Sequence, residues 1–479
     1  MTLPDLGIGL VCLPGLEGLA RSLSGSLDLL EVEAQTFWMH APSPAEGAAG
    51  DLGVNRAGLA RVAALGQPVL VHSVGYPVGG SRDGDARHRP ALAETFALLK
   101  PPWWSEHASF LAAYGEEGAR PVGFLMPPVQ SAESVATIAD RIRRLQDAFG
   151  LPFAFETGVS YLKPLPGELA DADFWGAIAE TADCGILLDI HNVWTNQANG
   201  RQDLAALAER LPLERVWEIH VAGGQRHKGY WLDSHSGLPP GGVIQAAAAL
   251  APRLPNLHAI VFEIIADQIE AQHIGETELE ACFAALRAIW ATRGGAAGGD
   301  VRLPASDRGV GGQLPSMARW ELMLAAALGP EADAAGTPFA DDPGLDIYRD
   351  LIAAARRGTV ADALPLSMRY LYRALGEDGL KALFPAFWRQ ARPEPFMSDE
   401  ARNFAGFVGA RIALPHLGEL LAFELAAHRA AITGAPQTVS FTCEPEALIV
   451  SLRAGEEPRI DPAIVEVEVT PPPGTLARL

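Results

Sequence analysis

The chain has 479 residues, too many for one ordinary domain, so two or three are expected. It is 48% hydrophobic and 20% charged, which allows a sizeable core and argues against global disorder. With 37 basic and 58 acidic residues its formal charge is −21, which argues against nucleic acid or an anionic membrane as main partner and suits metal cations or a basic peptide.

Residues 7–12 (GIGLVC) are a first apolar strand, followed by a short helix around residues 15–22. Residues 27–33 make a second strand ending on Glu31 and Glu33, and a helix is expected near residues 56–65. PVLVHSV at 68–74 is a third strand with His72 near its end, and ALAETFALLK a helix. A fourth strand ends at Glu106–His107. Over 132–149 the apolar residues Val135, Ile138, Ile142, Leu145 and Phe149 alternate in steps of three and four, an amphipathic helix. PFAFET is a fifth strand ending on Glu156. Residues 171–183 follow as a helix with Asp171 or Asp173 as N-cap. CGILLDIHN is a sixth strand ending on Asp189, VWEIHVAGG a seventh ending on His220, and HAIVFEII an eighth with Glu263 near its end. Helices at 243–250 and 276–293 complete the alternation.

Eight strand-like runs alternating with helices over about 290 residues are the order of a (β/α)8 barrel, a TIM-type α/β fold. The runs are continuously apolar, as parallel strands covered by helices require. A lone His or Glu at a strand end is usually a satisfied polar residue or a helix cap. Here His72, His107, Glu156, Asp189, His220 and Glu263 recur at six strand ends, and a barrel brings those ends into one small volume. Asp233 and His235 follow the seventh strand on the same rim. Unpaired carboxylates and imidazoles crowded together cost desolvation and repulsion, which cations neutralise. A His/carboxylate set without Cys points to Fe, Mn or catalytic Zn, and the number of ligands to two or three ions. Ten of twelve histidines precede residue 293; His40, His88, His227, His258 and His273 are read as surface or loop residues.

The four cysteines form no C-x-x-C, so neither a zinc ribbon nor a disulfide framework is supported; Cys184 and Cys282 read as buried thiols. The N-terminus lacks a basic, then apolar, leader pattern, and no apolar run approaches twenty residues, so a cytoplasmic protein is expected. Residues 293–314 are Gly-rich and read as a linker. The barrel is thus assigned to 1–292 and a mainly helical second domain to 315–479. Its helices are expected at 317–328, 345–356, 360–375 (stopped by Gly376), 380–391, 399–408 and 417–432. TVSFT, ALIVSL and AIVEVEV read as terminal strands. This domain carries no acid/His cluster in its sequence pattern and reads as a recognition module.

The pieces GIGL, LEVEAQTFW, VHSVG, SEHASF, FETGVSYL, LLDIHNVWTNQ, IHVAGG, LDSHS and VFEI, in this order, make residues 5–290 resemble the multinuclear non-haem iron-dependent oxidases. The resemblance implies a TIM-type barrel holding two or three iron ions, mixed Fe(II)/Fe(III), that uses O2 to oxidise cysteines of a ribosomally made precursor peptide. The ligands it implies are His72, His107, Glu156, Asp189, Asn192, His220, Asp233, His235 and Glu263. Thr157, His191 and Ile264 depart from the family's usual residues; the first two touch the geometry around the ligands more than ligation itself. LDIYRDLIAAARRG and LPHLGELLAFELA make the second domain resemble, more loosely, the partner protein that presents the peptide, here fused to the oxidase. Two other readings stand beside this one: a divalent-metal sugar isomerase or endonuclease-type barrel, and a non-catalytic peptide-binding protein.

Overall fold

The computed structural model describes residues 3–40, 52–116, 118–294, 313–329 and 334–471. The expected linker, residues 293–314, lies almost wholly outside the described residues, as does most of the loop after the second strand.

Eight parallel strands close into a barrel: β1 (Gly7–Val11), β2 (Leu29–Glu33), β3 (Val69–Ser73), β4 (Trp104–His107), β5 (Phe153–Glu156), β6 (Gly185–Asp189), β7 (Val216–Ala222) and β8 (Ala259–Glu263). Each strand is bonded to the next in sequence, and β8 pairs with β1. The fold is the expected (β/α)8 barrel. The helices Ala132–Phe149 and Asp171–Ala182 cover it where sequence periodicity places them. The second of these has Ala170 at its N-cap with no side-chain cap, rather than Asp171 or Asp173. Those two aspartates lie in its first turn and instead pair with Arg201 and Arg210, a better use of a carboxylate near the positive end of a helix.

Three antiparallel hairpins not foreseen from sequence project from the strand ends: Trp38–His40 with Leu52–Val54, Phe110–Gly115 with Gly118–Met126, and Gly224–His227 with Tyr230–Asp233. The last turns through Lys228 and Gly229, both at positive φ (48° and 88°), as a tight two-residue turn requires. Cys184 is buried as expected, whereas Cys282 is only half-buried. His88 is buried too, edge-on to Trp38 and beside Tyr76, not a surface residue.

After the barrel, helix Met317–Leu328 lies on the second hairpin, with Trp320 Nε1 donating to the Pro127 carbonyl (2.9 Å) and Ser81 to Glu321. Met317, Trp320, Leu324, Phe339, Leu345 and Tyr348 join the barrel's own core. A separate core begins at Val360 and runs to Val469. It is built from the helices Pro365–Trp388, Met397–Gly409, Leu417–Thr433 and Pro445–Arg453 with the strand pair Gln437–Cys443 and Pro462–Val469. ALIVSL, expected as a strand, is part of the helix Pro445–Arg453: Pro445 starts it, and Leu448 and Leu452, one turn apart, are its buried face. Helix Gly344–Ala363 runs unbroken through Gly358, whereas Gly376 (φ 69°, ψ 176°) is non-helical and separates two helices within Pro365–Trp388, as expected. Among the described residues no helix is long and apolar enough to cross a membrane.

Glu424 lies in this second core and accepts the N–H groups of Leu366 and Ser367 and the Ser367 hydroxyl (2.6–3.1 Å), tying down the start of a helix. Burial outweighs these donors and raises its pKa to about 7. A carboxyl whose folded pKa lies above its unfolded one binds more protons when folded. Its stabilisation is therefore complete below pH 4.5 and is lost as pH rises towards 7, by up to about 3 kcal/mol. Urea titrations at pH 5 and pH 7.5 should show this loss, and Glu424→Gln should flatten it; an unchanged slope in the variant would remove Glu424 from the explanation.

Candidate metal centre

The strand alternation that buries apolar residues between barrel and helices turns every second residue into the barrel. On β7 this places Glu218 and His220 on the inward side together. Strand register then aligns the ends: His107 pairs with Glu156, and Asp189 with His220. All nine residues singled out from sequence meet in one connected group. His72 Nε2 and His107 Nδ1 lie 3.1 and 3.2 Å from Glu156 Oε2, and the two imidazoles approach each other to 3.2 Å. His220 Nδ1 is 3.0 Å from Glu263 Oε1, whose other oxygen is 3.4 Å from His235 Nε2. That same His235 nitrogen is 3.2 Å from Asp233 Oδ1. Among the described residues four sets of potential ligand atoms are each gathered within 4.8 Å, and three of them are here: His72, His107 and Glu156; Glu156, Asp189 and His220; and Glu31, Glu218 and His220. The fourth, His416, Glu419 and Cys443, is in the helical region, where no acid/His cluster was expected. Glu156 and His220 each belong to two sets.

The group has depth. His72, Glu156, Asp189, His220 and Glu263 are buried, whereas the side chains of His107, Asp233 and His235 are 15%, 18% and 28% exposed. The mouth of the site is therefore on the side of β4 and the Asp233–His235 segment. His235 takes a left-handed backbone (φ 46°) there, a local cost that surrounding contacts must offset.

The polar atoms fit a cation better than they fit one another. Glu156 Oε2, Asp189 Oδ2, Asn192 Oδ1, Glu263 Oε2 and both His220 nitrogens are buried without a hydrogen bond, although several sit about 3 Å from another ligand atom. Two donors bound to one ion at about 2.1 Å and at right angles lie roughly 3 Å apart, so spacing without hydrogen-bond alignment is what shared ligation produces. The Asn192 amide NH2 donates to Glu156 Oε1 and the Thr157 carbonyl, which leaves its Oδ1 as the free donor atom.

The charges point the same way. Burial, then neighbouring carboxylates, drives Glu156 and Asp189 well above the usual carboxylate range. Burial depresses His107 well below an ordinary imidazole, with His72 adding to the effect. Burial also works against charged His220 and His235, but Glu263, with Glu31 and Asp233, outweighs it and raises both. These carboxyls and imidazoles cannot all hold their preferred charge in so small a volume; a bound cation reverses that balance for the carboxyls.

The residues around the set hold it in place. The Ser105 hydroxyl is 2.8 Å from His72 Nδ1, which leaves Nε2 facing Glu156. Thr157, the departure noted above, uses its hydroxyl to accept the Asp189 N–H. His191, the second departure, lies 3.1 Å from Asp233 Oδ1 by Nδ1 and receives the Trp231 indole N–H at Nε2. The Tyr161 hydroxyl accepts the backbone N–H of Asp233. Glu31 and Glu218 are the members sequence reading missed as site residues. Glu31 Oε1 is 2.9 Å from His220 Nε2, and Glu218 also accepts the Trp103 indole N–H. Burial and Glu218 push Glu31 up to about 8. The period of two along VWEIH is the signal that would have found Glu218.

Comparison with known proteins gives a family match: a family model described as RiPP precursor modification enzyme MbnB/TglH/ChrH matches residues 26–274. A UPF0276 protein of Chromobacterium violaceum is 28% identical over 231 residues, 48% of this chain and 80% of that protein. Another, from Streptomyces avermitilis, is 33% identical over 199 residues, and the chain spans only 41% of its length. Among solved structures, an L-ribulose 3-epimerase (18% identity, 60% of this chain and 93% of that one, TM-score 0.34) is similar. So is a xylose isomerase domain protein from Planctomyces limnophilus (15% identity, 60% and 99%, TM-score 0.37). Likeness at this level says nothing of chemistry.

Proposed function

Because the chain belongs to the RiPP precursor modification enzyme family MbnB/TglH/ChrH, we propose that it is an iron- and O2-dependent oxidase acting on cysteine residues of a precursor peptide. The observation that carries this reading is the set of buried donor atoms at the strand ends that lack hydrogen bonds yet sit at ligand spacing. The ligands we propose are His72, His107, Glu156, Asp189, Asn192, His220, Asp233, His235 and Glu263. The sharing of Glu156 and His220 between sets supports two or three ions rather than one.

Bound iron would supply O2 activation and Lewis acidity. The protein's own contributions are positional. Ser105 orients His72 and Thr157 holds the Asp189 backbone. His191, Trp231 and Tyr161 fix Asp233. His107, Asp233 and His235 border the open side, where a cysteine side chain enters. The hairpin Gly224–Asp233, carrying Trp231, covers that rim and limits water. We take residues 1–292 as the catalytic barrel and 315–479 as the fused domain that presents the peptide, in the cytoplasm.

Protein purified without oxygen should contain between about one and three irons per chain. Less than about one, even after reconstitution with Fe(II), would overturn the reading, as would O2-independent turnover with Mn, Mg or Zn.

A further inference from the structure

A cavity of about 920 Å³ lies between the hairpin strand Gly118–Met126, the helices Met317–Leu328 and Gly344–Ala363, and the end of Pro365–Trp388. Five arginines line it: Arg120, Arg349, Arg356, Arg389 and Arg392. No Asp, Glu or Lys among the described residues does so, in a chain whose net charge is −21. Arg356 and Arg349 are held by Glu400 and Asp346, but Arg120 and Arg389 are exposed and have no side-chain partner among the described residues. The floor is apolar, with Val122, Leu328 and Ile352. Trp388 also lines it, and its indole N–H is buried without a hydrogen-bond partner.

We infer that this groove binds an acidic, partly apolar segment of the precursor peptide, away from the cysteine to be modified. The inference rests on the peptide-modifying function proposed above. Arginines recognise carboxylates through paired N–H donors, and a local basic groove on an acidic protein both attracts such a segment and rejects basic ones. Arg and Trp around an apolar floor form the residue set that anchors peptide interfaces. The groove spans barrel and helical elements, so a segment held there is fixed relative to both.

The test uses the full chain and two fluorescein-labelled twelve-residue peptides, one alternating Glu and Leu, the other Gln and Leu. Anisotropy should show the Glu peptide binding about tenfold or more tightly, with affinity falling as NaCl rises. Arg120→Glu/Arg389→Glu should erase the preference without altering iron content or melting temperature, since neither side chain has a partner to lose among the described residues. Equal binding of both peptides, no binding of either, or an undiminished preference in the double variant would overturn the inference. An iron-free chain that still prefers the Glu peptide would sustain the groove while rejecting the oxidase reading; an iron-loaded chain without the preference would do the reverse.

Discussion

Glu156→Ala should abolish turnover and strip bound metal while the barrel stays folded. Glu156 is the carboxylate common to the His72–His107 set and the Asp189–His220 set, so its loss opens both. Its Oε1 also anchors the amide of Asn192, another of the proposed ligands, which would be released as well. Changes to residues that merely support ligands cost roughly 10–100-fold in metal affinity, and removing a shared ligand should exceed that. Stability should not suffer without metal, because a deeply buried carboxyl held far above its ordinary pKa is a cost to the fold. Metal analysis with a thermal melt checks both halves. A full metal complement in the variant would exclude Glu156 as a ligand.

Arg356→Ala should destabilise the helical region by about 3–5 kcal/mol, the usual result of stranding one member of a buried ion pair. Arg356 is 7% and Glu400 1% exposed, and their contact is 2.7 Å. Arg356 also donates to the carbonyls of Ala391 and Arg392 and packs over Phe387, so truncation leaves a buried carboxylate and two acceptors without their donor. Replacing both members, Arg356→Met with Glu400→Leu, should recover much of the loss. Urea unfolding followed by circular dichroism distinguishes the cases; equal destabilisation by single and double changes would show that packing rather than charge is at stake.

The barrel was legible because parallel strands covered by helices must be apolar throughout, so each strand stood out as an unbroken run ending in a polar residue. The candidate site was legible for the same reason: His72, Glu156, Asp189 and His220 lie at or near the ends of those runs. Glu218 was harder to see because it lies inside an apolar run, where a polar residue looks like an interruption unless the inward-facing period is followed; Glu31 was placed at a strand end but not joined to the set. The hairpins were missed because their pairing is set by turns such as Lys228–Gly229, whose signal is two residues long. ALIVSL misled because β-branched and apolar residues suit either element, and only Pro445 and the Leu448–Leu452 spacing decide for a helix.

Tyr161 joins two parts of the molecule that the sequence separates by some two hundred residues. Its hydroxyl holds the backbone of Asp233, its amide reaches the Tyr348 hydroxyl (3.4 Å), and a Cβ on Gly344 would stand 2.1 Å from its carbonyl oxygen. The helical region is therefore not an interchangeable cassette. A chimera joined at the Gly-rich stretch, with a foreign helical region lacking Gly344 or Tyr348, would inherit an intact set of barrel side chains and still shift one corner of it. The junction has to fall after Ala363, so that residues 317–363 stay as one piece with their barrel.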